Sequence, residues 1–141
     1  MSPRDALFAP VRQLFDQVWN EGRLDLLDQI AAEGIVLHAG RNSVSGRDTL
    51  RTIIGDFLAG FPDVKHRIED LVIEGDRVVT RWRGIGHHRG LYDGIAPTGR
   101  EIDYTGITIF RIAADGDGNR QIAEAWVNAE MAELLASLRA A

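Results

Sequence analysis

Apolar positions at helical spacing open the chain. Val11, Leu14, Phe15, Val18 and Trp19 fall at i, i+3, i+4, i+7 and i+8, one stripe along a helix. Asn20-Glu21-Gly22 ends it, with Gly22 as the C-terminal cap. A short second helix turns Leu24, Leu27 and Ile30 inward, and Ile35 to His38 reads as a short strand. Residues 40–46, with Gly and Ser around Asn42, predict a loop. A third helix carries Leu50, Ile53, Ile54, Phe57 and Leu58 on one face, and Pro62 stops it. The period then changes to two. Strands are predicted over 64–73, Arg77 to His88, 100–112 and 121–128. Glu74-Gly75-Asp76 is a hairpin turn, Ala96-Pro97-Thr98-Gly99 has the Pro and Gly placement of a type I turn, and residues 115–119 reverse the chain again. Met131, Leu134, Leu135 and Leu138 form a short closing helix.

Helices first and strands after predict an α+β fold. The expectation is a curved antiparallel sheet, a cone, with three N-terminal helices and a short C-terminal helix in one domain over 1–141. Gly84, Gly86 and Gly106 lie inside strands, where Gly marks bulges and bends, so curvature is expected there. Parity assigns the faces. Trp82 and His88 share one face of their strand, and Arg81, Arg83 and His87 share the other. Tyr104, Thr108 and Phe110 go together, as do Glu124, Trp126 and Asn128. The faces of Trp82, Tyr104 and Glu124 are expected on the concave side. The arginine face is then convex, either solvated or used for dimerisation.

This arrangement predicts an aromatic pocket with few polar groups: His38, His88, Tyr104, Thr108, Glu124 and Asn128. Phe15, Trp19, Trp82 and Trp126 are the expected apolar wall. Desolvation in such a pocket would raise the pKa of Glu124 and make it a usable acid or base. His88 would polarise a carbonyl, and together they would remove a proton beside it, as isomerisation or aldol closure requires. Each residue also has an ordinary role open to it. For Glu124 the paired strand-edge carboxylate is the more ordinary reading, His88 and His38 are equally structural, and His66 reads as a surface residue.

Composition narrows the field. The chain has 141 residues with 16 Lys and Arg against 21 Asp and Glu, a net charge of −5. That balance disfavours non-specific nucleic-acid binding and an anionic membrane surface. With no cysteine, disulfides, thiolate zinc sites and a cysteine nucleophile are excluded. No apolar run reaches the roughly 18 residues of a spanning helix. Met1-Ser2-Pro3-Arg4-Asp5 leads into no long apolar segment, so no signal peptide is expected and a cytoplasmic location is. Gly84-Ile85-Gly86-His87-His88-Arg89-Gly90 is not a GxGxxG loop, because its last Gly comes one residue late and no helix follows. Asp115-Gly116-Asp117-Gly118, ending towards Glu124, resembles a calcium loop, but Ala113 stands at the first ligand position and strands flank it. No metal and no cofactor are expected.

Several segments resemble the SnoaL-like polyketide (ester) cyclase family. They are His88-Arg89-Gly90 with Gly94-Ile95-Ala96-Pro97-Thr98-Gly99, then Thr105 to Ile112, then Ile122-Ala123-Glu124-Ala125-Trp126. Asn20-Glu21-Gly22-Arg23-Leu24-Asp25 and Leu134-Leu135-Ala136-Ser137-Leu138 fit as well. The resemblance runs from about Phe8 to Leu138. It implies a cone like that of nuclear transport factor two, commonly dimeric, and ring closure by intramolecular aldol condensation using acid–base groups alone. Cyclases of the family carry a His on the penultimate strand and an Asp on the last. Ungapped matching puts Thr108 and Val127 there, and neither is a general base.

The combined expectation is a cofactor-independent cyclase or isomerase of a small hydrophobic carbonyl compound. Glu124 and His88 would act on it, and His38, Trp82, Tyr104, Thr108, Trp126, Asn128, Trp19 and Phe15 would hold it. The alternatives are a non-catalytic ligand-binding module and a protein-interaction module. A homodimer is expected in each case.

Overall fold

A computed structural model describes residues 2–140. Helix α1 (Pro3–Gln13) starts on a reciprocal cap between Ser2 and Asp5. The helix then widens into a π-helix over Leu14–Trp19, which keeps Leu14, Phe15 and Val18 of the predicted stripe buried. Gly22, at φ 71°, turns the chain into a 3-10 turn at Leu24–Leu26 and then α2 (Leu27–Ile30). Strand β1 (Ala31–Ala39) and β2 (Asn42–Ser45) form a hairpin. The predicted loop over 40–46 thus contains a strand. All four β2 residues are exposed, so it carries no hydrophobic alternation to read. Helix α3 (Arg47–Gly60) follows, then β3 (Lys65–Glu74), β4 (Arg77–His87), β5 (Glu101–Ala114), β6 (Arg120–Ala129) and α4 (Met131–Arg139).

The six strands make one curved, unclosed sheet in the order β2-β1-β6-β5-β4-β3. Pairing is antiparallel throughout, with one exception: β1 and β6 run parallel. β1 enters before α3 and the whole meander, so it joins the sheet by a long crossover, as a parallel neighbour must. The helices cover the concave face. Val11, Phe15, Val18, Ile54 and Phe57 pack there against Val78, Trp82, Tyr104 and Phe110. Leu134 and Leu138 of α4 are buried as predicted.

Register decides the faces. From Arg77↔Arg111 to His87↔Glu101 the β4–β5 ladder is unbroken, so Gly84 and Gly86 are not the expected bulges. The irregularities lie elsewhere. Ile68 pairs with Trp82 and Asp70 with Arg81, which leaves Glu69 as an extra residue. Arg111 pairs with Glu124 and Ile112 with Ile122, which leaves Ala123 as another. A one-residue bulge sends every later side chain to the other face. Beyond Ala123 it is Ala125, Val127 and Ala129 that face inward, opposite Phe110, Thr108 and Gly106. Glu124, Trp126 and Asn128 therefore sit on the convex face, which corrects the parity expected for them.

Candidate active site

Between the concave face and the helices lies a cavity of about 370 Å³. Its wall is aromatic and aliphatic. Phe15 and Trp19 reach it from the π-helix, Ile54 and Phe57 from α3, and Trp82, Tyr104, Thr108 and Phe110 from the sheet. No Asp, Glu, Lys or Arg lines it among the described residues. A larger depression of about 660 Å³ runs between α1, α2 and the 115–121 turn, but it is an open, mostly polar groove. The apolar cavity is the one suited to bury most of a small ligand.

Two polar pairs stand inside. His66 Nε2 and the Tyr104 hydroxyl are 2.5 Å apart, both residues buried. Trp82 Nε1 donates to Thr108 Oγ1 at 3.0 Å. Glycine makes both possible. His66, Gly84 and Tyr104 are consecutive partners across β3, β4 and β5. A Cβ on Gly84 would stand 2.5 Å from Tyr104 Cε1 and 2.9 Å from His66 Nε2. Likewise, a Cβ on Gly106, the partner of Trp82 across the β4–β5 ladder, would stand 2.3 Å from the Trp82 ring. Burial sets the charge state of the first pair. Desolvation pushes His66 down to about 4 and pushes Tyr104 well above its usual value. At neutral pH the pair is an uncharged imidazole and an uncharged phenol.

His66 was expected at the surface and is instead 5% exposed. Its signal was present: Val64, His66 and Ile68 alternate with Lys65, Arg67 and Glu69. Of the predicted cavity residues, Phe15, Trp19, Trp82, Tyr104 and Thr108 are brought together. The others are not. Glu124 lies outside, accepting from Arg111 Nε at 3.0 Å and bonded to His38 Nε2 at 2.6 Å. Those two partners, His38 first, hold its carboxyl below the usual range, the reverse of the expected rise. His38 belongs to the cavity rim, but its ring is turned to the convex face, stacked on Trp126 at 5.2 Å and bonded to Ser43 through Nδ1. Trp126 carries Arg77 near its ring, and Asn128 is exposed. His88 is fully buried, yet not in the cavity. Its ring packs on Phe61 and its Nδ1 accepts the Thr98 N–H at 3.2 Å, which fastens the loop before β5.

The profile of the SnoaL-like polyketide cyclase family matches residues 9–138. The chain belongs to this family. Among solved structures, a protein described as a SnoaL-like polyketide cyclase from Jannaschia sp. CCS1 is 25% identical, with a TM-score of 0.87 over 100% of this chain and 97% of that one. AclR of Streptomyces galilaeus, described as a hydroxylase, is also 25% identical, with a TM-score of 0.80 over 96% of this chain and 82% of that one. IdmH of Streptomyces antibioticus, described as a polyketide cyclase, is 26% identical, with a TM-score of 0.76 over 95% and 99%. No curated protein matches the chain.

Thr108 and Val127 are the positions where the family resemblance led to an expected His and Asp. They lie directly opposite each other and both line the cavity. This SnoaL-like chain has no base at either. Its cavity instead places His66 and Tyr104 on the β3–β5 side. Among the described residues, no group of three His, Asp or Glu could hold a metal ion.

Proposed function

We propose that the protein binds a small, uncharged, hydrophobic carbonyl compound in the cone and closes or isomerises it by proton transfer. The observation that carries this reading is a hydrogen-bonded His66–Tyr104 pair in a cavity otherwise nearly apolar. When His66 Nε2–H donates to the phenol oxygen, the Tyr104 O–H is released to donate to a ligand carbonyl. A donor fixed where oxyanion charge develops stabilises an enolate strongly in a dry site. A methylene flanked by two carbonyls, as in a polyketide, is already acidic and gains from that stabilisation. In intramolecular aldol closure the methylene proton passes to water at the cavity mouth, where Val44 and Ile53 are exposed. The enolate carbon bonds to a second carbonyl carbon, and the alkoxide so formed takes one proton back from water. An anionic ligand is disfavoured, because the cavity would leave its charge unpaired.

Turnover of uncharged aromatic 1,3-dicarbonyl compounds by the full chain, followed by absorbance, tests the reading. Tyr104→Phe is expected to lower kcat by about 10²–10³, as removal of one oxyanion donor does elsewhere. Unchanged turnover in that variant would overturn it. The missing bases at Thr108 and Val127 favour a second reading, a binding module, which is distinguished by ligand binding with no product. We also propose a homodimer joined through the convex face, where Ile107 and Ile109 are 49% and 37% exposed. Sedimentation would measure it.

A further inference from the structure

Asn20 contributes nothing to the cavity wall, yet it grips the residue at its polar centre. Its Nδ2 donates to the His66 carbonyl at 2.8 Å, and the His66 N–H donates to its Oδ1 at 2.7 Å. β3 is an edge strand, so these backbone groups have no strand to pair with. The N–H and C=O of one antiparallel residue point the same way, and one side-chain amide can therefore satisfy both. Lys65 Nζ donates in turn to the Asn20 carbonyl. Trp19, the preceding residue, sets its indole 4.6 Å from the His66 ring. Asn20 follows directly on the π-helix, a form that recurs at functional sites.

We propose that Asn20 is the positioning residue of the His66–Tyr104 pair. Its two bonds fix where the His66 backbone sits, Trp19 covers one side of the ring, and the bare Gly84 admits the phenol on the other. The imidazole is thereby held to the Tyr104 hydroxyl and away from water. This role rests on the reading of the pair as the group that acts on the ligand.

The test uses the full chain labelled with ¹⁵N-histidine. In Asn20→Ala, the His66 ring signals are expected to move. Its titration midpoint should climb by at least about one pH unit towards the ordinary histidine value as water reaches the ring. Asn20→Asp keeps the acceptor for the His66 N–H and should recover most of the native signal. On a ring-closing substrate, Asn20→Ala should lower kcat by about tenfold or more, with KM within about twofold. The double variant with Tyr104→Phe should be no slower than Tyr104→Phe alone, as expected of residues acting through one another. Native His66 signals and midpoint in a folded Asn20→Ala, with only Tm lowered, would make Asn20 a plain edge cap and overturn the proposal. Should Asn20→Ala not fold, native His66 signals and midpoint in Asn20→Ser, which lacks the amide, overturn it equally. Failure of Tyr104→Phe to slow turnover rejects the functional reading instead, and the NMR result still decides the role of Asn20.

Discussion

The two faces of the sheet hold similar residue types in opposite physical states. Inside, His66 meets Tyr104 and Trp82 meets Thr108, all buried and all uncharged at neutral pH. Outside, His38 meets Glu124, Trp126 lies beside Arg77, and Arg83 pairs with Asp103. A histidine and a tryptophan stand on each side. What differs is access to water. On the concave face desolvation suppresses charge and leaves hydrogen-bond donors directed by packing. On the convex face solvent and counter-charges hold the carboxylates ionised, as the lowered pKa values of Glu124 and Asp103 indicate. A carbonyl ligand gains most from neutral donors in a dry cavity, so the inner face is where chemistry is expected.

The two tryptophans give the widest contrast. Trp82→Ala should cost about 3–5 kcal/mol, since it removes a buried ring that spans the cavity floor. Trp126→Ala should cost nearer about 1 kcal/mol, mostly the loss of half-buried contacts with Arg77 and His38 on the convex face. Urea midpoints of the two variants measure both, and equal losses would erase the distinction between the faces.

Acid should separate the faces next. His66 is held at about 4 in the fold against 6.5 unfolded. Between those values the unfolded chain binds the extra proton. Stability is therefore full above pH 6.5 and falls as the pH drops towards 4, by up to about 3 kcal/mol. His66→Gln should flatten that slope. Glu124 is held below its usual 4.5, so its contribution is present above pH 4.5 and lost as the pH falls through its lowered folded value. Glu124→Gln should change the profile only on that acid side. Denaturation at several pH values resolves the two.

Gly84→Ala comes third. Its Cβ would stand 2.5 Å from Tyr104 and 2.8 Å from His66 Cδ2. Overpacking of this kind costs about 1–3 kcal/mol, and it should also split the polar pair. Gly34→Ala, with nothing within 4 Å of the new Cβ, is the control and should leave the His66 NMR signals native.

Most of the architecture was legible in the pattern of apolar positions. The stripe from Val11 to Trp19, the alternation on β4 and β5, and the closing Leu134 and Leu138 each report burial directly. The parallel partnership of β1 and β6 is a long-range pairing and leaves no local signature. The cavity wall was legible only in part. Trp82, Tyr104 and Thr108 follow from parity, but the bulge at Ala123 has no Gly or Pro to mark it, and it turned Glu124, Trp126 and Asn128 outward. His88 shares the inward parity of Trp82 and is fully buried, but past the end of β4 it packs under Phe61 rather than in the cavity. His66 was missed because charged neighbours on both sides masked its alternation with Val64 and Ile68.

Fluorescence titration with 2-acetylnaphthalene, an uncharged aromatic ketone, tests the inner-face site most directly, with 2-naphthoate as its anionic counterpart. Quenching of the cavity tryptophans should report ketone binding. Tyr104→Phe should weaken that binding by about three- to tenfold, the worth of one hydrogen bond, while Glu124→Gln leaves it native and the naphthoate fails to bind at neutral pH. Native affinity in Tyr104→Phe together with loss in Glu124→Gln, or tighter binding of the naphthoate than of the ketone, would contradict a neutral site built on His66 and Tyr104.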